Sequence, residues 1–249
     1  MSTLNQMPLA LIGENQNEYI KSGLIKNGFN VICLPADNRL AKPVSSHADM
    51  LIFVLDNTVF CNEIYYQNNK EIFDFILSYG YEISPSSFLV SSEYPQDIAL
   101  NQAVIGTSIL GREDSVAKSI IDYASSRGYT YRNIKQGYAK CSTLVLNENA
   151  IISADKSVIS AAKSLDVDAL QIYNGASEIE LCGYDYGFIG GASAVYGNTV
   201  FFFGDITLHS QGSKIAEFCQ KHGFSINSLG KQKLCDIGGA IILPYINAK

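Results

Sequence analysis

The sequence predicts an α/β propeller: five ββαβ units of about 50 residues each, repeated with pseudo-fivefold symmetry around a central channel. A hairpin pattern recurs along the chain, a helical pattern follows it each time, and an unpartnered strand stands at each end. At the N-terminus, PLALIGEN (8–15) reads as a strand running into a helix over 15–27, which closes at Gly28 and Phe29. Short apolar runs separated by Asp, Asn or Gly give hairpins at 54–62, 104–112, 144–155 and 195–205, because those residues accept the positive φ of a tight turn. Helices are predicted over 68–79, 114–127, 155–165 and 210–222. Each opens on a capping-type residue and carries apolar side chains at three- and four-residue spacing. Val116, Ile120 and Ala124 form one such stripe, and Val158, Ala162 and Leu165 another.

Glycine followed by an aromatic ends four of these helices, at Gly28, Gly80, Gly128 and Gly223, separated by about one or two repeat lengths. Glycine there takes the left-handed conformation that stops a helix, and the aromatic opens the next strand. The fourth unit has Asp166, Val167 and Asp168 instead. At the C-terminus, GGAIILP (238–244) is a first hairpin strand without its partner, and the N-terminal strand is a second one without its first. Joining them completes the fifth unit and makes 1–249 one domain. The competing reading is an open α/β sheet whose alternating elements merely look alike.

Composition narrows the function. Of 249 residues, 47% are apolar and 17% charged, which suits a folded globular chain. The formal charge of -6, with no basic cluster, argues against nucleic acid or anionic membrane as partners. The N-terminus lacks the charged start of a signal peptide and no run reaches the length of a membrane span, so a cytoplasmic protein is expected. Six cysteines contain no CxxC pair, and the three histidines have no zinc-motif spacing. Reduced thiols and no cofactor are therefore expected.

Five strand-strand-helix-strand units in a closed ring resemble the pentein fold of guanidino-group-modifying enzymes. The stretch GYDYGFIGGAS, NTVFFFGD and LCDIGGAIILP, between Gly183 and Pro244, is most similar to an uncharacterised bacterial family of that fold. The resemblance implies a cysteine near the C-terminus that attacks a guanidinium carbon, a histidine that moves protons, and carboxylates that hold the cationic nitrogens. Such chemistry needs a thiolate, an acid/base group and fixed negative charge, because a delocalised guanidinium is a poor electrophile. Carried over residue by residue, the resemblance puts Asp49 of HADMLIFV at a substrate carboxylate. It puts Asn101 or Gln102 where a second carboxylate is expected, and Tyr138 about where the histidine should stand, with Lys140 two residues on. Alignment on Asp236 and its glycines brings Ile242 to the nucleophile position, and no cysteine lies beyond Cys235 to replace it. Ordinary cysteine hydrolase or deiminase chemistry is therefore not expected.

Cys141 is the one candidate nucleophile left, since the neighbouring Lys140 could lower its pKa. Read as strand residues, the two point to opposite faces, which favours core packing for the thiol. The glycines of GYDYGFIGGAS lead into a strand and read as places of close backbone approach, not as a phosphate loop. His209 reads as a surface capping or hydrogen-bonding residue, and His222 as a partner of a helix C-terminus. Asp49, Asp185 and Asp236 fall near the starts of first hairpin strands, with Tyr138, Tyr184 and Tyr186 close by. In a ring these starts converge, giving an acidic, tyrosine-lined pocket for a small amino or guanidino cation. The bland alternative is that each Asp caps a turn. An active guanidino-modifying hydrolase or amidinotransferase with an atypical residue set stays open, as does a non-enzymatic module for a protein partner.

Overall fold

A computed structural model describes residues 7–14, 18–175 and 178–246. The predicted start of the first helix at Asn15 lies outside the described residues. Strand β1 (Leu9–Gly13), helix α1 (Glu18–Lys26) and strand β2 (Asn30–Leu34) come first, followed by the short helix α2 (Ala48–Leu51). Next are the hairpin β3 (Ile52–Leu55) and β4 (Thr58–Asn62), helices α3 (Glu63–Asn68) and α4 (Lys70–Ser78), and β5 (Glu82–Ser86). The pattern repeats as β6 (Ala103–Ile105), β7 (Ser108–Gly111), α5 (Lys118–Ser126) and β8 (Thr130–Asn133). After α6 (Ala139–Ser142) it returns as β9 (Thr143–Asn147), β10 (Ala150–Ser153), α7 (Lys156–Lys163) and β11 (Asp168–Gln171). Strand β12 (Ile179–Glu180) precedes β13 (Ser193–Tyr196), β14 (Thr199–Phe202), α8 (Gly212–Lys221) and β15 (Ser225–Ser228), and the chain continues through β16 (Leu234–Cys235) to β17 (Ile241–Leu243).

Five three-stranded sheets share one topology among the described residues: a central strand pairs antiparallel with its hairpin partner and parallel with the strand that follows the helix. The chain ends make one of them, because β1 pairs antiparallel with β17 through Leu9 and Leu243, Ala10 and Ile242, and Leu11 and Ile241. A small parallel pair, β12 with β16, lies outside this scheme. The whole is a mixed α/β fold.

Apolar packing follows the same order. Leu9, Leu11 and Leu243 pack with Val59, Phe73 and Tyr81. Phe53 and Phe60 pack with Ile109 and Ile120, and Ala103 and Leu110 with Ile151 and Val158. Leu144 and Ile152 then pack with Phe202 and Ile215, and Phe201 and Phe203 with Ala10, Ile20 and Leu24 of the N-terminal unit. Every cluster joins neighbouring units. Burying each such side chain contributes about 1.5–3 kcal/mol.

Local chemistry explains where the elements depart from expectation. In the fourth unit Asp166 itself takes the left-handed conformation, with φ of 57°, at the helix end where the other units have glycine. Aspartate tolerates that conformation better than most residues, so the departure in sequence leaves the geometry intact. Helix α5 begins later than Asp114 because that carboxylate is engaged by Arg112 and by Ser115 Oγ. Helix α7 does begin at its predicted cap, where Asp155 accepts from the amides of Ser157 and Val158. The segments carrying Asp49 and Cys141, expected from the sequence to be strand, are instead the short helices α2 and α6. Four residues give too few turns to leave a helical period. No helix among the described residues is long and apolar enough to cross a membrane.

Candidate functional site

The segments just before β3, β6, β9 and β17 meet at one buried point. Asn101 fastens two of them. Its Oδ1 accepts from the amides of Lys140 at 2.8 Å and Cys141 at 3.1 Å, while Nδ2 points at Cys141 Sγ at 3.2 Å and at the Asp49 carbonyl at 3.4 Å. The Cys141 thiol donates to Asp49 Oδ2 at 2.9 Å, and Asp49 Oδ1 is buried with no hydrogen-bond partner. Asp236 is held from outside by the amides of Phe188 at 2.8 Å and Gly238 at 2.9 Å. His47 Nδ1 lies 3.9 Å from Asp236 Oδ1. One donor atom from each of His47, Cys141 and Asp236 falls within 4.8 Å of the others.

The glycines of the sequence motif allow this convergence. A β-carbon on Gly191 would collide with the Asp236 carboxylate, so only glycine lets that segment pass. The expected role in close backbone approach is the one seen.

Burial sets the charge state. Desolvation pushes Asp49 up to about 7, with the Lys140 charge opposing the shift. Asp236 is raised by burial against the pull of His47. Burial and the neighbouring Asp49 raise the Cys141 thiol well above its usual value, and burial lowers His47 despite Asp236. At neutral pH the thiol is protonated.

Two cavities of about 250 Å³ adjoin this cluster. One is lined by Tyr138, Cys141, Asp185, Asp236 and His47, together with Tyr184, Tyr186 and Phe188. Among the described residues no lysine or arginine lines it. Tyr138 is braced by a hydrogen bond of 2.5 Å from its hydroxyl to Asp97. The other cavity is mainly apolar and includes Asp49, Lys140 and Ile242 in its wall. The Asp49–Cys141 contact stands between them.

Of the residues singled out in the sequence, Tyr138, Cys141, Asp185 and Asp236 thus share one pocket, while Asp49, Lys140 and Ile242 face the other cavity. Asn101 lines neither. Cys141 and Lys140 do point to different cavities, although they sit on a helix and not on a strand. His209, expected at the surface, is 3% exposed and accepts from the Gln211 amide. His222 Nε2 lies 2.9 Å from Asp168 at the end of α8. Sequence reasoning missed His47. The signal was its place two residues before Asp49 in HADMLIFV, on the segment already singled out for its carboxylate.

A family described as a "Family of unknown function (DUF6873)" matches residues 11–241. The chain belongs to DUF6873. No curated protein matches it. Among solved structures it is similar to DDAH from Pseudomonas aeruginosa, a cysteine-to-serine mutant complexed with citrulline, at 11% identity and a TM-score of 0.59 over 96% of this chain and 100% of that one. An amidinotransferase of saxitoxin biosynthesis from Microseira wollei aligns at 9% identity and a TM-score of 0.60, over 98% of this chain and 96% of that one. Agmatine deiminase from C. jejuni aligns at 9% identity and a TM-score of 0.57, covering 100% of this chain and 96% of the other. At such identities the likeness is one of fold, and that fold is the one shared by guanidino-modifying enzymes. The DUF6873 chain therefore has the core architecture that its C-terminal motifs resemble.

Proposed function

We propose that this DUF6873 chain closes into a ring of five units and binds a small amino or guanidino cation in the tyrosine-lined pocket. Ring closure is supported by the packing order, in which the last unit meets the N-terminal one through Phe201, Phe203, Ala10 and Ile20. The pocket itself carries the ligand reading. Asp185 and Asp236 supply carboxylates, Tyr138, Tyr184, Tyr186 and Phe188 supply aromatic faces, and among the described residues the wall contains no lysine or arginine to repel a cation. At about 250 Å³ it suits a compound smaller than most drug-sized ligands. The similar structures add a chemical class, since one is named for agmatine and another holds citrulline.

In this reading the protein is a binder without cysteine hydrolase chemistry, because the only thiol in the pocket wall is protonated and bonded to Asp49. The test is thermal unfolding with arginine, agmatine, creatine and polyamines. A ligand present at about 100 times its dissociation constant adds about 2.7 kcal/mol of stability. No shift with any of them removes the reading.

One observation favours a second reading, an active hydrolase or amidinotransferase. Cys141 sits in the pocket wall with His47 and Asp236 beside it, so a cation bound there would draw the thiol toward thiolate. Release of ammonia or an amine from agmatine or arginine, with water or an added primary amine as acceptor and lost in Cys141→Ala, supports that reading; intact substrate after prolonged incubation with both acceptors refutes it.

A further inference from the structure

One atom of the buried cluster is left without a hydrogen-bond partner. Asp49 Oδ1 is buried without a partner, and His47, which lines the tyrosine pocket, has its Nδ1 3.9 Å from Asp236 Oδ1. Two carboxylates, a thiol and an imidazole meet there, with one ion-pair contact between them at 3.9 Å. Lys140 forms no salt bridge with either carboxylate among the described residues. Buried polar groups left this way are costly unless something joins them.

We propose that His47, Cys141 and Asp236, with Asp49 adjoining, form a binding site for a borderline-soft divalent cation of the zinc class. The donor set selects the ion. Sulfur and imidazole nitrogen favour zinc-like metals, whereas magnesium and calcium take oxygen ligands. With bond lengths of about 2.3 Å to sulfur and about 2.0–2.1 Å to nitrogen or oxygen, tetrahedral ligands stand roughly 3.3–3.8 Å apart. Here the three donors lie within 4.8 Å of one another, so each has to move by only about an ångström to reach that spacing. Asp236 is already oriented by the amides of Phe188 and Gly238, as a metal ligand usually is by its outer shell. The Asp49 carboxylate touches the thiol at 2.9 Å through Oδ2 and is 1% exposed, so it adjoins the set without being one of its three members.

Binding forms the sulfur–metal bond as the thiol proton leaves to solvent, and the dication then offsets the thiolate and carboxylate charges. His47, Cys141 and Asp236 all line the tyrosine pocket, which gives the ion an entrance. The inference does not depend on the organic ligand, but both readings use Asp236, so a bound dication competes with an organic cation for the pocket.

The test uses untagged full-length protein, stripped with chelator and titrated with Co²⁺ in the absence of any organic compound. The expected result is saturation at one equivalent, with a thiolate-to-cobalt charge-transfer band that Zn²⁺ displaces and Mg²⁺ does not. The band disappears in Cys141→Ala and persists in Cys182→Ala, whose side chain is exposed. Affinity falls at least about tenfold in His47→Ala, a loss that even an outer-shell partner can cause. Absence of saturable binding, or a band that survives in Cys141→Ala, overturns the proposal. X-ray absorption of the zinc-loaded wild type needs no variant: one sulfur in the shell supports the site, and a shell of only nitrogen and oxygen overturns it.

Discussion

Replacing Asn101 by alanine tests how the site is held together. The Asn101 side chain is 0% exposed, and its Oδ1 satisfies the amides of Lys140 and Cys141 at 2.8 and 3.1 Å. Alanine leaves both donors without their acceptor. Each stranded buried donor costs about 1–3 kcal/mol, so about 2–6 kcal/mol is expected before any contribution from the small cavity left behind. That is a large share of the roughly 5–15 kcal/mol by which domains are stable. In a chain of this length each kcal/mol lowers Tm by about 2–4 °C. Equilibrium unfolding in urea, followed by circular dichroism, measures the loss. Asn101→Asp keeps the acceptor but gives up the amide donor and adds a charge near Asp49, so it too destabilises, and more so as pH rises. A loss below about 1 kcal/mol for Asn101→Ala would mean that water or a neighbour replaces the acceptor, and the account of Asn101 as the fastener of α2 to α6 would be wrong.

Three further outcomes are expected. Burial raises the native pKa of Asp97 above 3.8, so the unfolded chain gives up its proton first and stability falls as pH climbs from below 3.8 toward the raised native value. Asp97→Asn should flatten that part of the pH–stability curve, and an unchanged slope in urea titrations would contradict the shift. Gly191→Ala forces a methyl group against the Asp236 carboxylate and should cost about 1–3 kcal/mol or more, whereas wild-type stability would show that the segment has room. Under mild alkylation at neutral pH, mass spectrometry should find the exposed Cys182 modified before the buried, protonated Cys141. Fast labelling of Cys141 would overturn its assigned charge state.

The repeated architecture was legible because its causes are local. A glycine ending a helix, an Asn or Gly in a hairpin turn and a capping Asp155 all act on residues within one turn of themselves. Even the missing glycine of the fourth unit was harmless, since Asp166 adopts the same left-handed conformation. The site was legible only in part. Asp49, Asp185 and Asp236 were read as sharing a pocket with Tyr138; Asp185 and Asp236 line one with it, while Asp49 faces the other cavity. Asn101 was read as a ligand-binding group, yet all its polar atoms are used within the protein. His47 left no spacing signal because its neighbours, Cys141 and Asp236, come from units far along the chain. Such proximity is created by packing and not by any pattern within a window. For the same reason the helices α2 and α6, which aim Asp49 and Cys141, were hidden inside segments that looked like strands.

The most direct measurement is a calorimetric titration of agmatine into the wild type and into Asp185→Asn, whose exposed side chain lines the pocket and can be changed without disturbing the core. The account predicts saturable binding of one ligand per chain, weakened in Asp185→Asn by about tenfold, the equivalent of about 1.4 kcal/mol. Absence of binding, or equal affinity in the two proteins, would contradict a cation site in the tyrosine-lined pocket.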